Sequence, residues 1–226
     1  MDKCATIKQY LDYSRLIGNI MLYSEIVTTA IAYSDRASDP EVTANIDLFL
    51  RLVEAPVNRL LTTQKMAFKA QTSTVINQEF YALPSDYLSM RSVRLWDTVN
   101  ITSRRTLSLL SPELADNQSR FPDGGFYYNV SGNNIQLLPI PTAIQVLEME
   151  YYARIIPLDT VNTSNWLSNL HPDVYINGLL VEINSFVKDA QAATLWGERF
   201  KDSLSQIRVQ DKTALFSGTP LQTRYG

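Results

Sequence analysis

Leu137-Leu-Pro-Ile-Pro141, Glu148-Met-Glu-Tyr-Tyr-Ala-Arg154, Asn165-Trp-Leu167 and His171-Pro-Asp-Val-Tyr-Ile176 follow one another along the chain. They decide the fold because a two-residue period gives way there to a helical one. From Ile144 to Tyr152, Val146, Glu148, Glu150 and Tyr152 fall on one face of a strand, and Leu147, Met149 and Tyr151 on the other. Beyond it, Thr163-Ser-Asn-Trp166 starts a short helix. Pro172-Asp173 starts a long one, with proline at the first position and acid in the first turn. Ile176, Leu179, Leu180, Ile183 and Phe186-Val187 make its apolar side. Asp189 is an N-cap after a break, and Leu195, Trp196, Phe200, Leu204 and Ile207 carry the stripe on. After Asp211 the periodicity ends.

Upstream of Glu148 the same short-period pattern reaches back to about Met66. Phe126–Val130 and Ile135–Leu138 flank Ser131-Gly-Asn-Asn134, a strong hairpin signal because Gly and Asn tolerate positive φ. Val93–Trp96 and Ile101–Ser103 flank Asp97-Thr-Val-Asn100, a second hairpin. Phe80–Pro84 reads as a strand stopped by proline, and Ser85-Asp-Tyr-Leu88 as a short helical turn. Ser111-Pro-Glu-Leu114 is a compact helix start.

Before Thr63 the pattern is helical. Ile7, Leu11, Ile17 and Met21 roughly keep helical spacing, and Ile26, Ala30 and Ile31 form a second segment. Asp39-Pro40-Glu41 is a helix start with an Asp cap. Val42, Ile46, Phe49, Leu50, Val53, Val57 and Leu60 then run as one stripe, with Pro56 expected to kink it. The expectation is an α+β, mainly helical fold. Residues 1–65 and 156–210 supply a helical bundle, a small antiparallel β domain spans 66–155, and 211–226 form an extended tail. Leu180, Ile183 and Phe186 should pack on the Phe49–Val53–Val57 stripe, since two amphipathic faces must cover each other.

Composition narrows the function. The 226 residues carry a formal charge of −3, which disfavours a protein built to grip nucleic acid. Cys4 is the sole cysteine, so no intrachain disulfide can form. Neither a signal peptide nor a membrane span is expected, which suits a soluble protein made in a reducing cytoplasm. One histidine and one cysteine do not make a typical zinc site. No phosphate-cradle or nucleophile-elbow motif occurs, and no cofactor is expected. His171 reads as a helix-boundary residue. Glu148 and Glu150 share a face, as a glycosidase pair could, though a solvated edge or a subunit contact explains them more simply. Arg91, Arg94, Arg104 and Arg105 form a basic cluster suited to acidic neighbours. Adjacent aromatics, Tyr127-Tyr128 and Tyr151-Tyr152, place one ring in the core and the other toward solvent or a partner.

Taken in order, these segments resemble the adaptor proteins of short-tailed bacteriophages. Asp47–Glu54 with Asn58-Arg-Leu60, Tyr81–Leu88, Leu107 through Leu114 and Tyr128–Pro141 fit the family's segments across about Tyr23 to Asp211. Asn77-Gln78 stands where the family often has glycine, Pro56 interrupts the long helix, and the first 20 or so residues have no counterpart. The resemblance implies a structural virion protein of the neck. It would form a dodecameric homo-oligomeric ring between the portal protein and the tail nozzle protein, with genomic DNA passing unbound through the lumen. Of the tail residues, Leu215, Phe216, Leu221, Arg224 and Tyr225 are read from the sequence as portal contacts, because a solvated end would not need such anchors. The alternative from another class is a tail-associated cell-wall hydrolase using Glu148 or Glu150. A solitary carbohydrate-binding β module fits poorly between two helical zones.

Overall fold

The computed structural model describes residues 20–36, 39–99, 101–115 and 125–216. Among the described residues the α-helices are α1 (Tyr23–Tyr33), α2 (Pro40–Ala44), α3 (Ile46–Leu60), α4 (Pro112–Ala115), α5 (Trp166–Leu170), α6 (Pro172–Phe186) and α7 (Ala190–Phe216). The strands are β1 (Ala67–Ser73), β2 (Phe80–Ala82), β3 (Tyr87–Asp97), β4 (Arg105–Leu109), β5 (Tyr127–Ser131), β6 (Asn134–Leu138) and β7 (Gln145–Ala153). The chain separates into two compact units, one formed by Met66–Arg154 and the other by the segments on either side of it.

The expected helical bundle with a small β domain is not what forms. About 47% of the chain is helical and 25% strand, and the strands make one curled half-barrel sheet. Its seven strands run in the order β1-β7-β3-β4-β5-β6-β2. Three features hid it. β1, Ala-Phe-Lys-Ala-Gln-Thr-Ser, has no alternating apolar face and is mostly exposed. Tyr87-Leu88, read as a helical turn, instead opens the longest strand, because the chain straightens directly after Pro84-Ser-Asp86. The sheet is also mixed rather than antiparallel, since β4 and β5 pair in parallel across the crossover that carries α4. The second arm of the β3–β4 hairpin is Arg105–Leu109, and Ile101–Ser103 makes a 3-10 turn. The β5–β6 hairpin has its expected turn, with Gly132 at φ 58°. Val93, Leu95, Leu107, Leu137, Leu147 and Met149 fill the inner face of the sheet with Tyr81, Tyr128 and Tyr151.

The other unit is helical and has its own core. Asp39 caps α2 by accepting the Glu41 and Val42 amides. The stripe does not run on as one helix, because the Asn45 carboxamide donates to the Glu41 carbonyl at 2.8 Å and the chain turns there. The second helix, α3, continues through Pro56 to Leu60 and buries Ile46, Phe49, Leu50, Val53 and Val57. It packs on α6, where the Phe49 and Phe186 rings lie 5.5 Å apart. The close approach centres on Gly178, whose added Cβ would fall 2.6 Å from Val53 Cγ1. Leu180 and Ile183 are fully buried, whereas Phe186 sits at the edge and stays partly exposed. The longest helix, α7, packs on α6 and does not stop at Asp211; it runs through Phe216.

Candidate functional site

The segments that make the sequence distinctive supply internal fastenings within each unit. In the helical unit, Glu54 on α3 is 6% exposed. One of its oxygens accepts the Leu158 amide at 2.8 Å and the Tyr175 hydroxyl at 3.0 Å. Tyr175, on α6 and fully buried, accepts in turn from the Asn165 carboxamide at 2.7 Å. The same carboxamide donates to the Ile156 carbonyl, while its oxygen caps α5 by accepting from Leu167 and Ser168. Asn58, one turn after Glu54, accepts the Ile155 amide at 2.9 Å. The loop between β7 and α5 is thus fastened by side chains from α3, α5 and α6. Burial raises the Glu54 carboxyl above its ordinary range, against the pull of its two donors. Burial likewise raises the Tyr175 phenol, with the nearby Glu54 adding to it.

In the sheet unit the fastening is Asp86. Its carboxylate accepts the Tyr151 hydroxyl at 3.0 Å and its carbonyl accepts the Arg154 amide at 2.7 Å. Burial and the Asp86 carboxylate push the Tyr151 phenol up to about 12. The Tyr87 ring lies 6.0 Å from that of Tyr151.

The carboxylate pair is engaged elsewhere. Arg94 reaches Glu148 at 3.2 Å and Glu150 at 3.7 Å, and Arg91 reaches Glu150 at 3.3 Å. Gln71 donates to the other oxygen of Glu148 at 2.7 Å. Burial alone would raise the Glu148 carboxyl, yet the Gln71 and Arg94 hydrogen bonds outweigh it and hold the group below its ordinary value. A glycosidase needs one carboxyl kept protonated as the acid, and Glu148 is held in the opposite state. The rest of the basic cluster lies on aromatic faces, Arg104 over Trp96 at 4.2 Å and Arg105 over Phe126 at 4.6 Å. Among the described residues no group of His, Cys, Asp and Glu is arranged to hold a metal. No helix among them is long and apolar enough to cross a membrane.

His171 stands at the joint of α5 and α6, its ring 6.5 Å from Trp166 and at right angles to it. Burial lowers its pKa, partly opposed by Asp173. It lines a small recess of about 140 Å³ with Thr63, Trp166 and Ile207. The buried Thr63 hydroxyl makes no hydrogen bond to His171 or to any other group, so the two are not paired as nucleophile and base. Of the tail residues, Leu215 is exposed on the last turn of α7 and Phe216 ends that helix. Leu221, Arg224 and Tyr225, like Cys4 and Ile7, lie outside the described residues.

Sequence reasoning missed the apolar tips of the sheet unit. Val75, Ile76, Phe80 and Ile144 are exposed, and Val99 is 96% exposed. The helical unit exposes Leu48, Leu52, Leu195 and Val209. The one sequence signal that could have found any of them is Val75-Ile76, two adjacent apolar residues just before Asn77. The chain belongs to the SU10 adaptor protein family, whose model matches residues 21–224. It is therefore a structural adaptor of bacteriophages, associated with portal and tail components at the virion neck. No curated protein matches the chain.

Proposed function

We propose that this adaptor forms a dodecameric ring between the portal protein and the tail nozzle protein and continues the DNA channel through the neck. The carrying observation is the family match over residues 21–224, which spans both compact units. A formal charge of −3 on the whole chain suits a lumen through which genomic DNA must slide without being held. The engagement of Glu148 and Glu150 by Arg91 and Arg94 favours a structural role over the hydrolase reading. Before assembly the chain resides in the host cytoplasm as a monomer or small oligomer, and the ring closes on the portal.

The docking element in this proposal is the C-terminal end. Leu215 is exposed at the end of α7, and Phe216, Leu221, Arg224 and Tyr225 follow in sequence. A chain ending at Lys212 loses all five, yet keeps Ile207 in the core and Asp211, which accepts the Gln64 amide at 2.9 Å. Portal pull-down with the full and shortened chains tests this, with circular dichroism as the folding control. The full chain is expected to capture portal and the shortened one to lose most of that capture, while losing no more helicity than the last turn of α7 that it removes. Equal capture would move the docking surface to the helices or the sheet. Class averages of isolated necks test the ring itself, and a copy number other than twelve would overturn the dodecamer.

A further inference from the structure

Arg104 and Arg105 stand where the chain enters β4, and both are exposed. Adjacent residues of an extended strand project to opposite sides, and each of these arginines meets a ring there. Arg104 lies over Trp96 at 4.2 Å and Arg105 over Phe126 at 4.6 Å. A guanidinium stacked by its face keeps its N–H groups in the plane and directed outward, where they can grip a carboxylate through two bonds at once. Among the described residues neither arginine has a carboxylate within salt-bridge distance. Arg104 helps to hold Glu148 ionised, but Glu148 is bonded by Gln71 and Arg94 instead. Stacking has already ordered two long side chains, so little freedom is lost when an anion binds them. Val99, at the turn between β3 and β4, is 96% exposed beside them in sequence.

The helical unit carries the opposite arrangement. Asp47, exposed on the first turn of α3, accepts the Tyr23 hydroxyl at 2.8 Å. Burial, the Asp47 carboxylate and, after it, the Asp159 carboxylate push that phenol up to about 12, so both acids stand close to one ring. Asp159 is fixed by the Val161 and Asn162 amides, at 2.7 and 2.6 Å. Val161 is 85% exposed. Arg51 acts on Asp159 from beyond salt-bridge distance, and among the described residues no salt bridge reaches Asp47 or Asp159.

We infer that Arg104, Arg105 and Val99 of one copy meet Asp47, Asp159 and Val161 of the next copy in the ring. The inference rests on the reading that the adaptor closes into a ring. A ring is made by a head-to-tail contact, for which every copy must present two different surfaces that fit each other. Here two fixed cations beside an exposed valine lie on one unit, and two fixed anions beside another exposed valine lie on the other. Arginine set among apolar and aromatic side chains is the composition of a protein interface, whereas a phosphate backbone would leave Val99 without a partner. Opposite charges also keep like surfaces from meeting and so favour the head-to-tail order.

The test uses two full-length charge variants and immobilised portal protein, and reads the chain concentration that half-fills the portal. One variant is Arg104→Glu with Arg105→Glu. The other is Asp47→Arg with Asp159→Asn, the second change keeping the oxygen that the Val161 and Asn162 amides bond. Each variant alone sets like charges together, or removes the attraction, and is expected to raise the half-filling concentration at least about tenfold. An equimolar mixture is expected to restore it, because the two variants can alternate around a ring of even number with every contact attractive. Urea midpoints equal to the wild type's show that the variants fold. Arg104→Gln with Arg105→Gln, expected to lose less, serves if the reversal lowers the midpoint. Half-filling unchanged in either single variant would overturn the contact. A loss that the mixture fails to restore would overturn it as well, assigning the arginines to the portal or to DNA while leaving the ring in place. Wild-type copies that fill the portal independently, with no ring in class averages, would overturn the ring reading and this inference with it.

Discussion

Glu54 and Glu148 are almost equally shielded, at 6% and 4% exposure, and the two units treat them in opposite ways. The helical unit gives Glu54 neutral donors, the Leu158 amide and the Tyr175 hydroxyl, and its carboxyl rises. The sheet unit gives Glu148 a guanidinium and a carboxamide, and its carboxyl falls. The first arrangement fixes geometry and tolerates a protonated acid. The second fixes charge and requires an ionised one. The helical unit is thus held by buried, directional contacts, and the sheet unit pairs its buried carboxylate with arginines that water still reaches.

The sharpest way to break this contrast is Glu54→Leu. It strands two buried donors at once, each costing about 1–3 kcal/mol when left unpaired. A loss of about 3–5 kcal/mol of unfolding free energy is expected in urea titration, against a smaller one for Arg94→Leu, since Arg94 is itself partly exposed and its loss leaves Glu148 the Gln71 hydrogen bond. Equal losses would dissolve the distinction.

Next in size is Gly178→Ala. Alanine is the better helix former by about 1 kcal/mol, yet its Cβ would meet Val53 at 2.6 Å and Phe200 at 3.1 Å. Overpacking of this kind costs about 1–3 kcal/mol, so a net loss is expected. Adding Val53→Ala should recover part of it, and a double variant no better than the sum of the two singles would place the strain elsewhere.

The pH dependence sharpens the contrast further. A carboxyl raised on folding makes the folded state bind more protons than the unfolded one, so its contribution weakens as pH climbs from the ordinary carboxyl value toward the folded one. A carboxyl lowered on folding contributes above its ordinary value and is lost as pH falls through the folded one. Glu54→Gln should therefore flatten a decline in stability just above pH 4.5, and Glu148→Gln should flatten a decline below it. Denaturant midpoints measured across that range give both slopes, and slopes of the same sign would contradict the assignment.

The smallest effect belongs to Asn77→Gly. Asn77 holds φ at 63°, a conformation that favours glycine. The gain from relieved strain and the loss from a looser unfolded chain are both a few tenths of a kcal/mol, and a change within about 0.5 kcal/mol is expected.

Asn77 also shows where the sequence was readable. Its departure from a glycine looked like a mismatch, and the structure resolves it as one left-handed residue replaced by another that tolerates the same φ. The helix starts at Asp39, Asn165 and Pro172 were legible because capping is local chemistry. The inner face of β7 was legible because Leu147, Met149 and Tyr151 alternate. β1 was not, since its partner is β7, some 80 residues on, and its own residues alternate nothing. The Glu54–Tyr175–Asn165 chain was equally hidden, because residues 121 positions apart share a hydrogen bond that no local pattern announces. The carboxylate pair could be seen as a pair, but not that Arg91 and Arg94 already occupied it.

That separation of 121 residues also sets an order of events during synthesis. At about 5–20 residues per second, Tyr175 leaves the ribosome roughly 6–24 s after Glu54. During that interval α3 has no α6 to cover Phe49, Val53 and Val57, and the strands from Met66 to Arg154 are complete before it ends. The sheet can therefore close first, while α3 waits for a partner made after the whole sheet. In an infected cell this makes the stretch before Met66 the part of the nascent chain most in need of shielding.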